Sequence, residues 1–178
     1  MKNQIRIEGD LTYIISHNKK HGTHEAVIDT KNLEKVKDLN YSWHLKYAEN
    51  TRTFYSRATK YLGITEGKPK YQNVYLHHVI KPITTKGNVI HHKNHDTLNN
   101  TEENLQEVSN QRNLIKREGT NINNKLGIRN VSFNKQRGFY EVQFYVDGNR
   151  ILYGSYSNPQ DAELAAIKGR QEHYSDIG

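Results

Sequence analysis

Along FYEVQFYV (139–146) the side chains alternate, with Tyr140, Val142, Phe144 and Val146 on one side and Phe139, Glu141, Gln143 and Tyr145 on the other. A period of two predicts a strand with one buried face. Asp147-Gly148 is a hairpin-turn signal, and NRILYGSYS reads as the next strand. Asn158-Pro159 then supplies an N-cap and a first-turn proline, with Asp161 behind them. The helix that follows carries Ala162, Ala165, Ala166 and Gly169, small enough to lie close to a sheet. The last part of the chain therefore reads as three strands packed on one helix.

The first third, 1–70, reads as a small mixed module. LTYIIS (11–16) and EAVI (25–28) are apolar strand-like runs. DTKNLEKVKDL predicts a short helix, capped by Asp29 or Thr30, with Leu33, Val36 and Leu39 three apart on one face. SWHLKYA and TRTFYSRAT read as strands, and EGKPK (66–70) as a loop or module boundary. From 71 to 117, VYLHHVI is a short apolar segment, KPITTKGN a turn and VIHH (89–92) a short β-branched strand. KNHDTLNNTEE is polar and reads as a loop, and NLQEV (104–108) as the returning strand. Ser109 is placed to cap a helix over 110–117; the alternative begins a helix at Thr101. EGTNINNK (118–125) lacks apolar periodicity and reads as a linker. The fold class is α+β, in small layered units.

Composition sharpens this picture. Only 34% of the residues are hydrophobic and mean hydropathy is −0.95, too polar for one large core. Twelve tyrosines can close small cores or stack on bases. The net charge is +7, with a sequence pI near 9.4. Between Ser109 and Arg137 seven basic residues face a single acid, Glu118. Such a zone suits a polyanion, although a solvated basic surface has the same composition. The absence of cysteine removes disulfide scaffolds, cysteine-based zinc ribbons and thiol catalysis. No apolar run is long enough to span a membrane and no signal peptide is visible, so a cytoplasmic protein is expected.

The chemistry concentrates in HHKNH (91–95). Three readings compete: a zinc site built from histidines such as His77, His91 and His95; a nucleic-acid hydrolase; and surface histidines without a role. Adjacent residues at a strand end point in opposite directions. One imidazole can then hold a metal while its neighbour takes a proton from water. Asn113, on the following basic helix, is a candidate second ligand.

The stretch LHHVI…GNVIHHKNHDTLNNTEENLQEVSNQRNL resembles the HNH endonucleases, the ββα-metal nuclease class, in its phage- and intron-encoded homing form. The likeness is carried by His91-His92, the LNN loop, Asn104-Leu105, and Asn113 nine residues after Asn104. It implies His92 as the general base, His91 and Asn113 as metal ligands, and Asn104 as the residue that ties the loop and orients the base. Lys116 and Arg117 are expected on DNA. His77 matches an LHR-like segment, with His78 where relatives carry Arg. His95 is assigned no role, and Asn99 and Asn100 are expected to stabilise the loop.

LGIRNVSFNKQRGFYEVQFYVDGNRILYGSYSNPQDAELAAIKG resembles an AP2/ERF DNA-binding domain, expected over 126–178. That likeness implies DNA contacts at Arg129, Ser132, Asn134, Gln143, Tyr145, Arg150 and Leu152, on the sheet face away from the helix. A merely solvated face suits Glu141 and Ser132 but not Phe139 and Tyr145. The N-terminal third resembles the entry module of phage HNH–AP2 proteins through GDLTYI, the VID turn and Trp43, with no role carried over. Together the resemblances imply a strand-nicking endonuclease acting on double-stranded DNA as a monomer in a bacterial or phage-infected cell. Mg²⁺ or Mn²⁺ would serve it, with Ni²⁺ or Zn²⁺ able to substitute. The rival is a non-catalytic DNA-binding regulator on the same fold.

Overall fold

The computed structural model describes residues 1–49, 51–116, 119–120, 123–146 and 149–174, without the side chains of Gln111 and Lys116. Arg117 and the Asp147-Gly148 turn fall outside these residues, and the expected DNA contact of Lys116 falls on an undescribed side chain. The chain is mixed α and β, built from small antiparallel sheets and few helices. It divides into two compact units, Met1–Asn110 and Gln111–Gly178.

In the first unit β1 (Ile5–Glu8), β2 (Leu11–Asn18) and β3 (Gly22–Asp29) form one antiparallel sheet in chain order. The alternation in β2 buries Thr12, Ile14 and Ser16 on one side, as period two requires. A 3₁₀ turn at Thr30–Asn32 leads into α1 (Leu33–Asp38), which buries Leu33 and Val36. The expected cap is absent: Asp29 makes no side-chain capping bond, and the Thr30 hydroxyl bonds Thr12 and the Gly9 carbonyl instead. Asp29 Oδ2 instead accepts from the Glu102 amide at 2.8 Å.

β4 (His44–Ala48), β5 (Thr53–Thr65) and β6 (Lys68–Tyr75) form a second antiparallel sheet. EGKPK is therefore not a loop or boundary: Glu66 and Gly67 are the turn of a long hairpin, and Lys68, Pro69 and Lys70 lie in its second strand. Both turn residues have positive φ, 52° and 72°, the requirement of a tight hairpin turn whose twist matches its strands. Pro69 is tolerated because β6 is an edge strand. α2 (Leu76–Ile80) follows, then the hairpin of β7 (Asn88–His92) and β8 (Leu105–Ser109), and α3 (Asn110–Lys116) begins at the junction of the units. The alternative helix at Thr101 does not form.

One core joins Ile14, Ile28, Val36 and Trp43 to Leu76, Ile90 and Leu105. It crosses residue 70, where the sequence predicts a boundary.

In the second unit β9 (Val131–Asn134), β10 (Phe139–Val146) and β11 (Asn149–Tyr156) form a sheet with β10 central, and α4 (Pro159–Tyr174) packs on it. Val131, Val142 and Phe144 meet Ala162 and Ala166. Asn158 caps the helix: its Oδ1 accepts from the Asp161 amide at 2.8 Å. Gly169 lies against Phe144 so closely that an added Cβ would fall 2.5 Å from the ring. Gly169→Val should destabilise the second unit by about 2 kcal/mol, because the overpacking outweighs any gain in helix propensity. Denaturant unfolding of the full chain measures it; a variant as stable as the parent would mean the helix can lift from the sheet freely.

Candidate active site

His91 and His92 close β7 opposite Gln106 and Leu105 of β8, and both are buried. The following loop is fixed from two directions. Asn104 holds it from within: its Nδ2 donates to the Asn99 carbonyl at 2.7 Å, and its Oδ1 accepts from the Asn94 amide at 3.0 Å. Asn99 Oδ1 accepts from the Thr101 hydroxyl, and Asn100 Nδ2 donates to the Leu98 carbonyl, both at 2.8 Å. From outside, the edge of β3 pairs with the loop. Val27 donates to Leu98 at 2.9 Å and accepts from Asn100 at 2.8 Å. Glu102 is gripped by Lys31 at 2.6 Å and Asn32 at 2.9 Å, and Thr97 Oγ1 donates to the Phe54 carbonyl. These partners from the first third have no signature in the sequence.

His92 sits in an aromatic cage. Its ring lies 5.2 Å from His77 and 6.1 Å from Tyr55, while His77 stacks on Tyr75 at 5.4 Å and meets His78 at 4.3 Å. Burial lowers His77 to about 3, with the nearby charges of His78 and His92 adding to it. Burial lowers His92 to about 4, opposed by the Asn100 side chain. Both rings are therefore neutral at physiological pH. His92 Nε2 and Asn100 Oδ1 are both buried and form no hydrogen bond of normal geometry, although the Asn100 side chain lies near enough to favour the protonated ring. Trp43 Nε1, Ser56 Oγ and Asn130 Oδ1 are in the same condition, so an orphan alone does not mark a site. Two of them within one histidine cage, behind a locked loop, distinguish this place.

His91 faces His95, with ring centroids 5.4 Å apart. His95 is exposed and has a φ of 61°, a conformation that non-glycine residues adopt at tight turns. Among the described residues no three histidines or acids converge as metal ligands, so the histidine trio of a structural zinc site is not assembled. The structure thus brings His91, His92 and Asn104 together in the first unit. Asn113, half-buried on α3, falls in the second.

On the second unit, Ser132, Tyr145, Arg150 and Leu152 are exposed on strands, and register pairs Tyr145 with Arg150 and Gln143 with Leu152. Three other candidates are engaged within the protein. Arg129 donates to the carbonyls of Leu114 and Ile115, where a cation complements the end of α3. Asn134 and Gln143 both donate to Glu141, at 2.8 and 2.9 Å. Glu141 is consequently buried rather than solvated, and its charge is covered in the middle of the face.

Comparison with family models, curated proteins and solved structures finds no match. Among the described residues no helix is long and apolar enough to cross a membrane.

The histidine cage makes a pH prediction. An unfolded histidine titrates near 6.5, whereas His77 and His92 must stay neutral in the fold. The unfolded chain therefore binds more protons below pH 6.5, and stability falls as pH drops from there toward the folded values near 4 and 3. Glu107 contributes only further down: bonds from Thr84, Thr85 and Asn88 hold it near 2, below its usual 4.5. Urea titrations between pH 6.5 and 4.5 should show falling stability, with a shallower slope in His77→Phe. A flat profile would mean that the rings titrate as free histidines.

Proposed function

We propose that the protein is a metal-dependent endonuclease of the HNH type acting on double-stranded DNA, with its C-terminal unit as an AP2-like DNA-binding module. The observation that carries this reading is the state of His92: buried, neutral, one ring nitrogen without a hydrogen bond of normal geometry, beside a loop pinned by Asn104. A neutral imidazole can accept a proton, and a fixed loop keeps the ring oriented. The element order β7, β8, α3 and the spacing of His91, His92, Asn104 and Asn113 support the same reading.

In this mechanism His92 takes a proton from a water as the water oxygen attacks phosphorus. The bond from phosphorus to the 3′ oxygen breaks, and that oxygen leaves with a proton from solvent. The products are a 3′-hydroxyl and a 5′-phosphate. The resemblance gives His91 and Asn113 as the residues that would hold Mg²⁺ or Mn²⁺, which when bound offsets charge on the phosphate and the departing oxygen. One such site per chain gives a nick in one strand. Tyr145, Arg150, Leu152 and Ser132 present the exposed face of the second sheet to the duplex, with Glu141 at its centre covered by the Asn134 and Gln143 amides.

Two experiments test this. Supercoiled plasmid with Mg²⁺ or Mn²⁺ should be nicked, and His92→Ala should lower that rate by about 10²–10⁴ while DNA affinity stays within a few-fold. Plasmid cut by His92→Ala at the parent rate would remove His92 from the chemistry. Separately, His91→Ala and Asn113→Ala should each raise the Mn²⁺ concentration needed for half-maximal nicking. Superimposable metal titrations for both variants would reject them as ligands.

A further inference from the structure

β5 is far longer than its partner β4, which it leaves at Arg57. Beyond that point β5 and β6 continue as a two-stranded arm, paired from Ala58 with Val74 to Thr65 with Lys68. A two-stranded ribbon gains little stability by itself, so its surface calls for an explanation. Tyr61 is 54% exposed, Tyr71 60% and Ile64 71%. The cross-strand contact of Tyr61 and Tyr71, 5.5 Å between centroids, helps hold the ribbon but leaves Ile64 and Leu62 open to solvent.

The strand register sorts the arm into two faces. On β6, Lys68, Lys70 and Gln72 point one way, and Pro69, Tyr71 and Asn73 the other. Residues directly opposite share a face, so Lys60 joins the lysine side, and Tyr61 and Ile64 join the tyrosine side. Glu66, at the tip, is the arm's one acid. Followed inward, the tyrosine face runs through Asn73 to Tyr75, which stacks on His77, and across the sheet to Tyr55, beside His92. Arg57 and Lys46 lie on this same face, opposite Tyr75 and Tyr55. One continuous surface of tyrosines and cations therefore leads from the histidine cage to the tip of the arm.

We propose that the β5–β6 arm is a DNA-binding element that lies in the major groove beside the histidine site, with Tyr61, Ile64 and Tyr71 toward the base edges and Lys60, Lys68 and Lys70 on the flanking phosphates. The proposal rests on the reading of the histidine site as one that acts on DNA. A two-stranded ribbon fits a groove about 12 Å wide and 8.5 Å deep. With one face on the groove floor, lysines on the opposite face leave the ribbon near the level of the phosphates. From Lys68 to Val74 the arm spans about 23 Å at about 3.3 Å per residue. At about 3.4 Å per base pair the arm follows the duplex for roughly seven pairs from the site. Charge decides between duplex and a second copy of the chain: two arms of net positive charge repel, whereas phosphates attract both.

Fluorescence anisotropy with a mixed-sequence DNA duplex, over a range of KCl concentrations and without divalent cations, tests the arm independently of cleavage. Replacing Lys60, Lys68 and Lys70 together by Gln should flatten the slope of log affinity against log salt by about 2 to 3, given about 0.9 per phosphate contact. A charge-matched control, Gln at the exposed Lys2, Lys19 and Lys20, should keep the parent slope. Tyr61→Ser with Tyr71→Ser should weaken binding about tenfold at an unchanged slope. All of these positions are exposed, and circular dichroism melts verify that each variant is folded. Equal slopes for the arm variant and the control, or parent affinity in the tyrosine variant, would overturn the proposal. So would a concentration-dependent dimer that the tyrosine changes abolish while DNA binding persists. If the parent protein binds through the arm but nicks no plasmid, the nuclease reading fails and the arm stands.

Discussion

The loop that closes the histidine hairpin has no core of its own, and everything proposed for the site depends on what holds it. Two amide systems do so. Asn104 spans the loop from inside, bonding to Asn94 and Asn99. Val27 pairs with the loop from outside, using the backbone groups that an edge strand leaves unsatisfied. Each hydrogen bond contributes about 1 kcal/mol net, but leaving its buried partner unpaired costs more. The loop is therefore held more by the penalty of opening than by the gain of closing. The N-terminal sheet thereby acquires a concrete structural role, as the wall against which the histidine loop is set.

The same arrangement explains the electrostatics. A cage of rings excludes water from His77 and His92, and their neutrality follows from that exclusion more than from any neighbouring charge. Lys60, Lys68, Lys70 and Arg150, in contrast, are exposed on strands. The neutral rings are thus kept in a dry place and these cations in wet ones, where salt screens them.

What is legible in the sequence is local. The alternation through Tyr140 to Val146, the Asn158-Pro159 start of α4, the small residues facing the sheet and the VIHH strand are all statements about neighbours in the chain, and the structure forms each of them. β1 gives no such signal, being four residues long with half its positions exposed. The tip of the arm reads as a loop because Pro69 and the charges around it imitate one, and a glutamate at positive φ leaves no mark in the sequence. The engagement of Arg129 with the end of α3 and the grip of Lys31 and Asn32 on Glu102 are tertiary events between distant residues. Charge and polarity alone cannot separate an arginine that reaches outward from one that closes a helix. The candidate residues of the hairpin are legible as chemical types; that Val27, Phe54 and Tyr55 complete their surroundings is not.

An arm with open strand edges and uncovered apolar side chains is also a template on which chains can stack into sheets. Pro69 offers no backbone N–H, and Lys68 and Lys70 set like charges along the edge that an incoming strand would occupy. The bulge between Tyr61 and Gly63 twists the ribbon further from the flat geometry that stacking needs. The features that make this segment unreadable as a strand are therefore the same ones that oppose pairing with an incoming strand, so that sequence illegibility and resistance to stacking have one physical source.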